Sequence, residues 1–134
     1  MAEFVLDSRL AATSVHALDL PLSRVLVTDD ARYPWLVLVP RRAGLTELFD
    51  LDPADRMMLT EELAMAGSQL KALTKCAKVN IANLGNVVPQ LHIHVIARNP
   101  GDAAWPGPVW GKGEAVPYDA AVLEAFVQNV VNMF

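Results

Sequence analysis

The chain has 134 residues, of which 53% are hydrophobic and 19% charged, and a formal net charge of −4. That length predicts a single domain, residues 1–134, able to bury a core without staples, and the composition excludes a disordered chain. An acidic balance without a clustered basic face excludes duplex nucleic acid as a partner, but not a small phosphate ligand held by local donors.

At the N-terminus, Met1-Ala2-Glu3-Phe4 lacks the basic flank and apolar stretch of a signal peptide, which points to a cytoplasmic protein. The first twenty residues carry no period that separates helix from strand, and His16 among them reads as structural. Residues 24–28 and 35–39 are β-branched or leucine-rich runs. The turn-like Asp29-Asp30-Ala31-Arg32-Tyr33-Pro34 between them predicts an antiparallel pair. Residues 35–39 are also the longest apolar run, far too short to cross a bilayer, so no membrane association is expected. A helix follows. Asp52 suits its N-cap, Pro53 its first position, and Asp55, Glu61 and Glu62 lie toward its N-terminal half. Leu59, Leu63, Ala66, Leu70 and Leu73 form one apolar stripe, and Lys71, Lys75 and Lys78 lie near or just past the C-terminal end. Cys76, the sole cysteine, excludes an intrachain disulfide and a cysteine-built zinc site and fits a reducing compartment.

Beyond the helix, Val79, Ile81 and Asn83 alternate as a strand that breaks at Leu84-Gly85-Asn86. A second alternation runs over residues 90–96 and ends by Pro100-Gly101, after which the Pro- and Gly-rich segment to Gly113 reads as loop. Asp119 opens a last helix with Val122, Leu123, Phe126, Val127, Val130 and Val131 on its apolar side. The expected class is α+β: an antiparallel sheet of about five strands, a long covering helix and a C-terminal helix.

The chemistry concentrates in Pro89-Gln90-Leu91-His92-Ile93-His94-Val95-Ile96-Ala97-Arg98. On a strand, Gln90, His92 and His94 project to one face, toward an open cleft, while Leu91, Ile93 and Val95 enter the core. Two imidazoles and an amide in a row suit an anion better than a packed interior, and Asn83-Leu84-Gly85-Asn86 brings further donors close. Two other readings stay open. The histidines could sit on a plain solvated face, or form part of a metal site for which only Asp102 and His16 offer a third ligand, neither at a telling spacing.

The run Gln90-Leu91-His92-Ile93-His94-Val95-Ile96 resembles the histidine-triad (HIT) family motif His-φ-His-φ-His-φ-φ, matching two of three histidines and every apolar position. Tyr33-Pro34-Trp35-Leu36-Val37-Leu38-Val39-Pro40-Arg41, the stretch from Leu45 to Leu51 before the long helix, and Trp105-Pro106-Gly107 extend the likeness over about residues 20–110. The resemblance implies a HIT-like fold and a nucleotide hydrolase or nucleotidyl transferase. Its substrate would be an adenine or other purine nucleotide conjugate, such as a phosphoramidate, or a dinucleoside polyphosphate, attacked at the α-phosphate. It implies His92 as the nucleophile that forms a nucleotidyl-histidine, its other ring nitrogen held by a backbone carbonyl, and His94 as a donor to phosphate. Gln90 can donate a hydrogen bond there but cannot deliver a proton. Asp29 lies where the family often places a ribose-binding carboxylate. Asn83 and Asn86 are candidates for phosphate or ribose hydroxyls, Arg98 for the same strand face, and Trp105 and Trp110 for closing the site. No cofactor and no metal are expected, and a homodimer is. The alternative is a nucleotide-binding protein with the same pocket and little turnover, which the glutamine favours; a metal-dependent enzyme of cupin-like type is a third reading.

Overall fold

The computed structural model describes residues 2–134. Five strands form one antiparallel sheet in the order β1-β2-β3-β5-β4: β1 Ser14–Asp19, β2 Ser23–Thr28, β3 Trp35–Pro40, β4 Lys78–Ala82 and β5 Ile93–Arg98. The pair expected on either side of the 29–34 turn forms, with Leu26 opposite Val37. A five-residue helix, α1 (Ser8–Ala12), precedes the sheet. Helix α2 (Pro53–Thr74) crosses between β3 and β4, and α3 (Ala120–Met133) ends the chain.

Helix α2 begins and ends where its caps dictate. The Asp52 carboxylate accepts from the Asp55 N–H at 2.8 Å, and Lys75 takes a left-handed φ of 59° while its N–H bonds the Lys71 carbonyl. Leu59, Ala66 and Leu70 are buried and Leu63 half-buried, but Leu73 is 38% exposed, so the stripe stops a turn early. Glu62 is only 5% exposed, because its two oxygens accept from the Leu22 and Ser23 backbone N–H groups at 2.8 and 2.9 Å. It ties the helix to the β1–β2 turn.

The period of two sorts the sheet into two covered faces. On one, Val25, Val27, Leu36, Leu38, Val95 and Ala97 pack against Ala66 and Leu70 of α2 and Leu123, Phe126, Val127 and Val130 of α3. Val122, expected on that apolar side, is 52% exposed. Leu91 and Ile93 are buried beside Leu22, Leu51 and Leu59, as the alternation requires. The other face carries Leu26, Val37, Val39 and Ile96. The N-terminal segment covers one part of it with Phe4, Leu6 and Leu10, and the long loop after β5 covers another with Ala104, Val109 and Trp110. This second face also carries His94, which is why the site is a pair of cavities and not an open cleft.

Candidate functional site

His94 lies in β5 opposite Val37, which in turn faces Leu26, so one row across three strands forms the floor of the site. His92 stands one residue before the strand, and the Asn83 amide donates to its carbonyl at 2.8 Å, fixing that backbone. The two rings are 5.0 Å apart between centroids and nearly edge-to-face, at 75°.

Their hydrogen bonds give the two imidazoles opposite roles. His92 Nδ1 lies 2.6 Å from the Gln90 carbonyl oxygen. A carbonyl only accepts, so Nδ1 carries a proton, and in the neutral ring Nε2 keeps the lone pair. For His94 the partner is a donor: the Trp35 indole N–H gives its hydrogen to Nδ1 at 3.0 Å. The neutral His94 ring therefore carries its proton on Nε2. Burial, with a smaller contribution from His92, pushes the His94 pKa down to about 4, so the ring is neutral near pH 7. One imidazole thus offers a nucleophilic nitrogen and its neighbour an N–H.

Two cavities meet at His94 and Trp110. The smaller, about 160 Å³, is lined by His92, His94, Trp110, Asn86 and the apolar Leu84, Val87 and Val88. The larger, about 310 Å³, runs over Leu26, Val37 and Trp35 to Thr28, Asp30 and Arg32, with Leu10 of α1 as one wall and Val109 to Ala115 as another. Trp110 stands edge-on to both His94 and Trp35, at centroid distances of 4.9 and 5.9 Å. Asp30 is 1% exposed and paired with Arg32 at 2.9 Å. Burial alone would raise its carboxyl, but the bonds from Arg32 and the Val116 N–H outweigh that and hold it below the usual carboxylate range.

Several residues singled out from the sequence lie elsewhere. Gln90 lines neither cavity. It precedes β5, and its amide is bound to the N-terminal segment: Oε1 accepts from the Asp7 N–H at 2.7 Å and Nε2 donates to the Val5 carbonyl at 2.8 Å. Asp29 lines neither cavity, because its Oδ1 accepts from the Tyr118 N–H at 2.9 Å and anchors the chain ahead of α3. The carboxylate in the larger cavity is Asp30, on the face shared by Leu26 and Thr28, and the period of two continued past β2 would have found it. Arg98 shares that sheet face but is 2% exposed. All its bonds go to Asp102 (2.7 and 2.9 Å), Asn80 (2.9 Å) and the Gly107 carbonyl (2.8 Å), which pins the loop after β5. Trp105 covers the Arg98 guanidinium at 5.8 Å and lines neither cavity; Trp110 is the tryptophan at the histidines. Asn83 acts on the His92 backbone, and Asn86 lines the smaller cavity. His16 pairs with Asp19 at 2.9 Å, and Asp102 with Arg98. Among the described residues, no three His, Cys, Asp or Glu side chains gather as a metal-binding group.

A five-stranded antiparallel sheet with a covering helix and a His-x-His leading into the fourth strand in order is the architecture of histidine-triad proteins. The HIT domain family model matches residues 9–101. A histidine triad protein from Bradyrhizobium japonicum is 48% identical, with a TM-score of 0.96 over 98% of both chains. One from Sinorhizobium meliloti is 44% identical, with a TM-score of 0.95 over 98% of this chain and 97% of that one. One from Marinobacter aquaeolei is 40% identical, with a TM-score of 0.92 over 98% of both. No curated protein sequence matches the chain. The chain belongs to the HIT family, a family of nucleotide-binding proteins and nucleotide hydrolases.

Proposed function

We propose that this protein is a nucleotide hydrolase or nucleotidyl transferase that acts at the α-phosphate of a purine nucleotide conjugate through a nucleotidyl-His92 intermediate. The observation that carries the reading is the opposed polarity of the two imidazoles: the Gln90 carbonyl leaves His92 Nε2 with its lone pair, and the Trp35 indole leaves His94 Nε2 with its proton. The nucleoside occupies the larger cavity, its ribose hydroxyls near Asp30 and Thr28 and its base against the apolar stretch from Leu10 to Val109. The α-phosphate sits where the cavities meet, with Asn86 and His94 donating to its oxygens. Nε2 of His92 attacks phosphorus, the bond to the leaving group breaks, and its electron pair departs with that group. Positive charge on the phosphorylated ring is stabilised by the Gln90 carbonyl at Nδ1. Water then attacks phosphorus and gives up a proton to solvent, and the P–N electron pair returns to His92.

A panel of adenosine and guanosine phosphoramidates and dinucleoside polyphosphates tests the reading, with His92→Ala as control. Turnover by the native chain and none by the variant supports it. Nucleotide binding with no turnover of any conjugate favours the second reading, a binding protein, for which the bound-up Gln90 amide speaks. We also propose a homodimer through the β4 edge and α2, where Ile81 and Met65 are 50% and 49% exposed and Gly67 leaves a shallow depression beside Val79 and Ile81. Light scattering giving one chain per particle at micromolar concentration contradicts that arrangement. No helix is long and apolar enough to cross a membrane among the described residues.

A further inference from the structure

Among the described residues, nothing that lines the two cavities can protonate a departing group. Gln90, next to the nucleophile, has both ends of its amide on the backbone of Val5 and Asp7 and carries no acidic proton. His94 accepts the Trp35 N–H at Nδ1, and protonating that nitrogen would set two N–H groups against each other. Its Nε2–H can donate a hydrogen bond to charge that develops on oxygen, but giving up the proton would leave an imidazolate. Among the described residues Asp30 is the one carboxylate in either cavity, and its bonds to Arg32 and Val116 N–H hold it ionised. The Arg32 guanidinium, also in the larger cavity, is paired with Asp30 and does not release a proton near pH 7, and the remaining lining is hydroxyl, amide, indole and aliphatic.

Resting on the nucleotidyl-transfer reading above, we infer that the site cleaves bonds whose departing oxygen leaves unprotonated as a stable anion, a phosphate or carboxylate, and discriminates against amine and alkoxide leaving groups. The step balances without an acid. His92 Nε2 forms the P–N bond, the P–O bond breaks, and its electron pair stays on the leaving oxygen while His94 Nε2–H stabilises the phosphoryl oxygens. The Gln90 amide enforces this selectivity indirectly. It occupies the position that could have carried an acid and binds the N-terminal segment in its place.

The test is a series of adenosine 5′-phosphoryl conjugates with one nucleotide part and graded leaving groups: nitrophenyl ester, unsubstituted phenyl ester and an alkylamine phosphoramidate. Nitrophenolate stands in for the stable anion. kcat/KM is expected to fall from the nitrophenyl ester to the other two by about 10²-fold or more, the size of a missing general acid. Added imidazolium or ammonium buffer should restore part of the rate on the phenyl ester and leave the nitrophenyl rate unchanged. A flat series, with the nitrophenyl ester turned over, overturns the inference and leaves the proposed function standing. Failure to turn over the nitrophenyl ester, with adenosine monophosphate still bound, overturns both.

Discussion

Replacing Gln90 with alanine separates its structural role from a chemical one. The change removes two hydrogen bonds to the N-terminal segment, to the part-buried Asp7 N–H and to the exposed Val5 carbonyl. A typical net contribution is about 1 kcal/mol for the first and less for the second, so the segment should loosen by about 1–2 kcal/mol, or a 5- to 30-fold larger open population. Phe4, Leu6 and Leu10 still pack on Leu26, Val37 and Val39, so the fold as a whole should persist. Because Leu10 walls the larger cavity, the expected kinetic result is a raised KM with kcat nearly unchanged. Native-state hydrogen exchange at the Asp7 amide reads the opening directly. Gln90→Glu sharpens the test, since it keeps an acceptor for Asp7 N–H but sets a carboxylate oxygen against the Val5 carbonyl at neutral pH. Unchanged protection of the Asp7 amide in Gln90→Ala, or a loss confined to kcat, would refute the reasoning.

His94 supplies a pH signature. An unfolded histidine titrates near about 6.5, while the folded one titrates near about 4. Between those values the unfolded chain binds a proton that the folded chain lacks, so stability falls as pH drops through the window, by up to about 3 kcal/mol. His94→Asn should lack this component, visible as a smaller shift of its urea midpoint between neutrality and pH near 4. Glu62→Ala should destabilise by about 2–5 kcal/mol, because two buried backbone N–H groups lose their acceptor; a shift under about 1 kcal/mol in chemical denaturation would contradict that. Trp110→Ala should weaken binding of adenosine monophosphate about tenfold or more by opening the wall shared by both cavities, measured by calorimetry, whereas Trp105→Ala should leave affinity within about twofold.

Much of the architecture is legible because it is written in local signals. Asp52 and Pro53 start α2, and the alternation around residues 91–95 sends Leu91, Ile93 and Val95 into the core. The carbonyl partner of His92 was legible too, since a neutral imidazole with a free nitrogen needs an acceptor on the other. What failed was long-range. That Gln90 would meet Asp7 and Val5, 83 and 85 residues away in sequence, depends on how residues 2–12 fold over the sheet, and those residues carry no period. The family resemblance points to Asp29, and only the parity followed past β2 separates it from Asp30, the carboxylate that lines the larger cavity. Arg98 shares the histidine face as expected, but the loop that buries it under Asp102, Gly107 and Trp105 has no regular pattern from which its path could be read. The indole bond from Trp35 to His94 needed the register of β3 on β5, which sequence alone does not supply.

Intact-protein mass spectrometry on a rapidly quenched single turnover reads out whether His92 is the nucleophile. The adenosine nitrophenyl ester is mixed with excess protein and quenched into alkaline denaturant, which preserves a phosphorus–nitrogen bond. A mass gain of one adenylyl group is expected, localised by peptide mapping to His92 and absent from His92→Ala. An adduct on any other residue, or turnover by His92→Ala at the native rate, would contradict it.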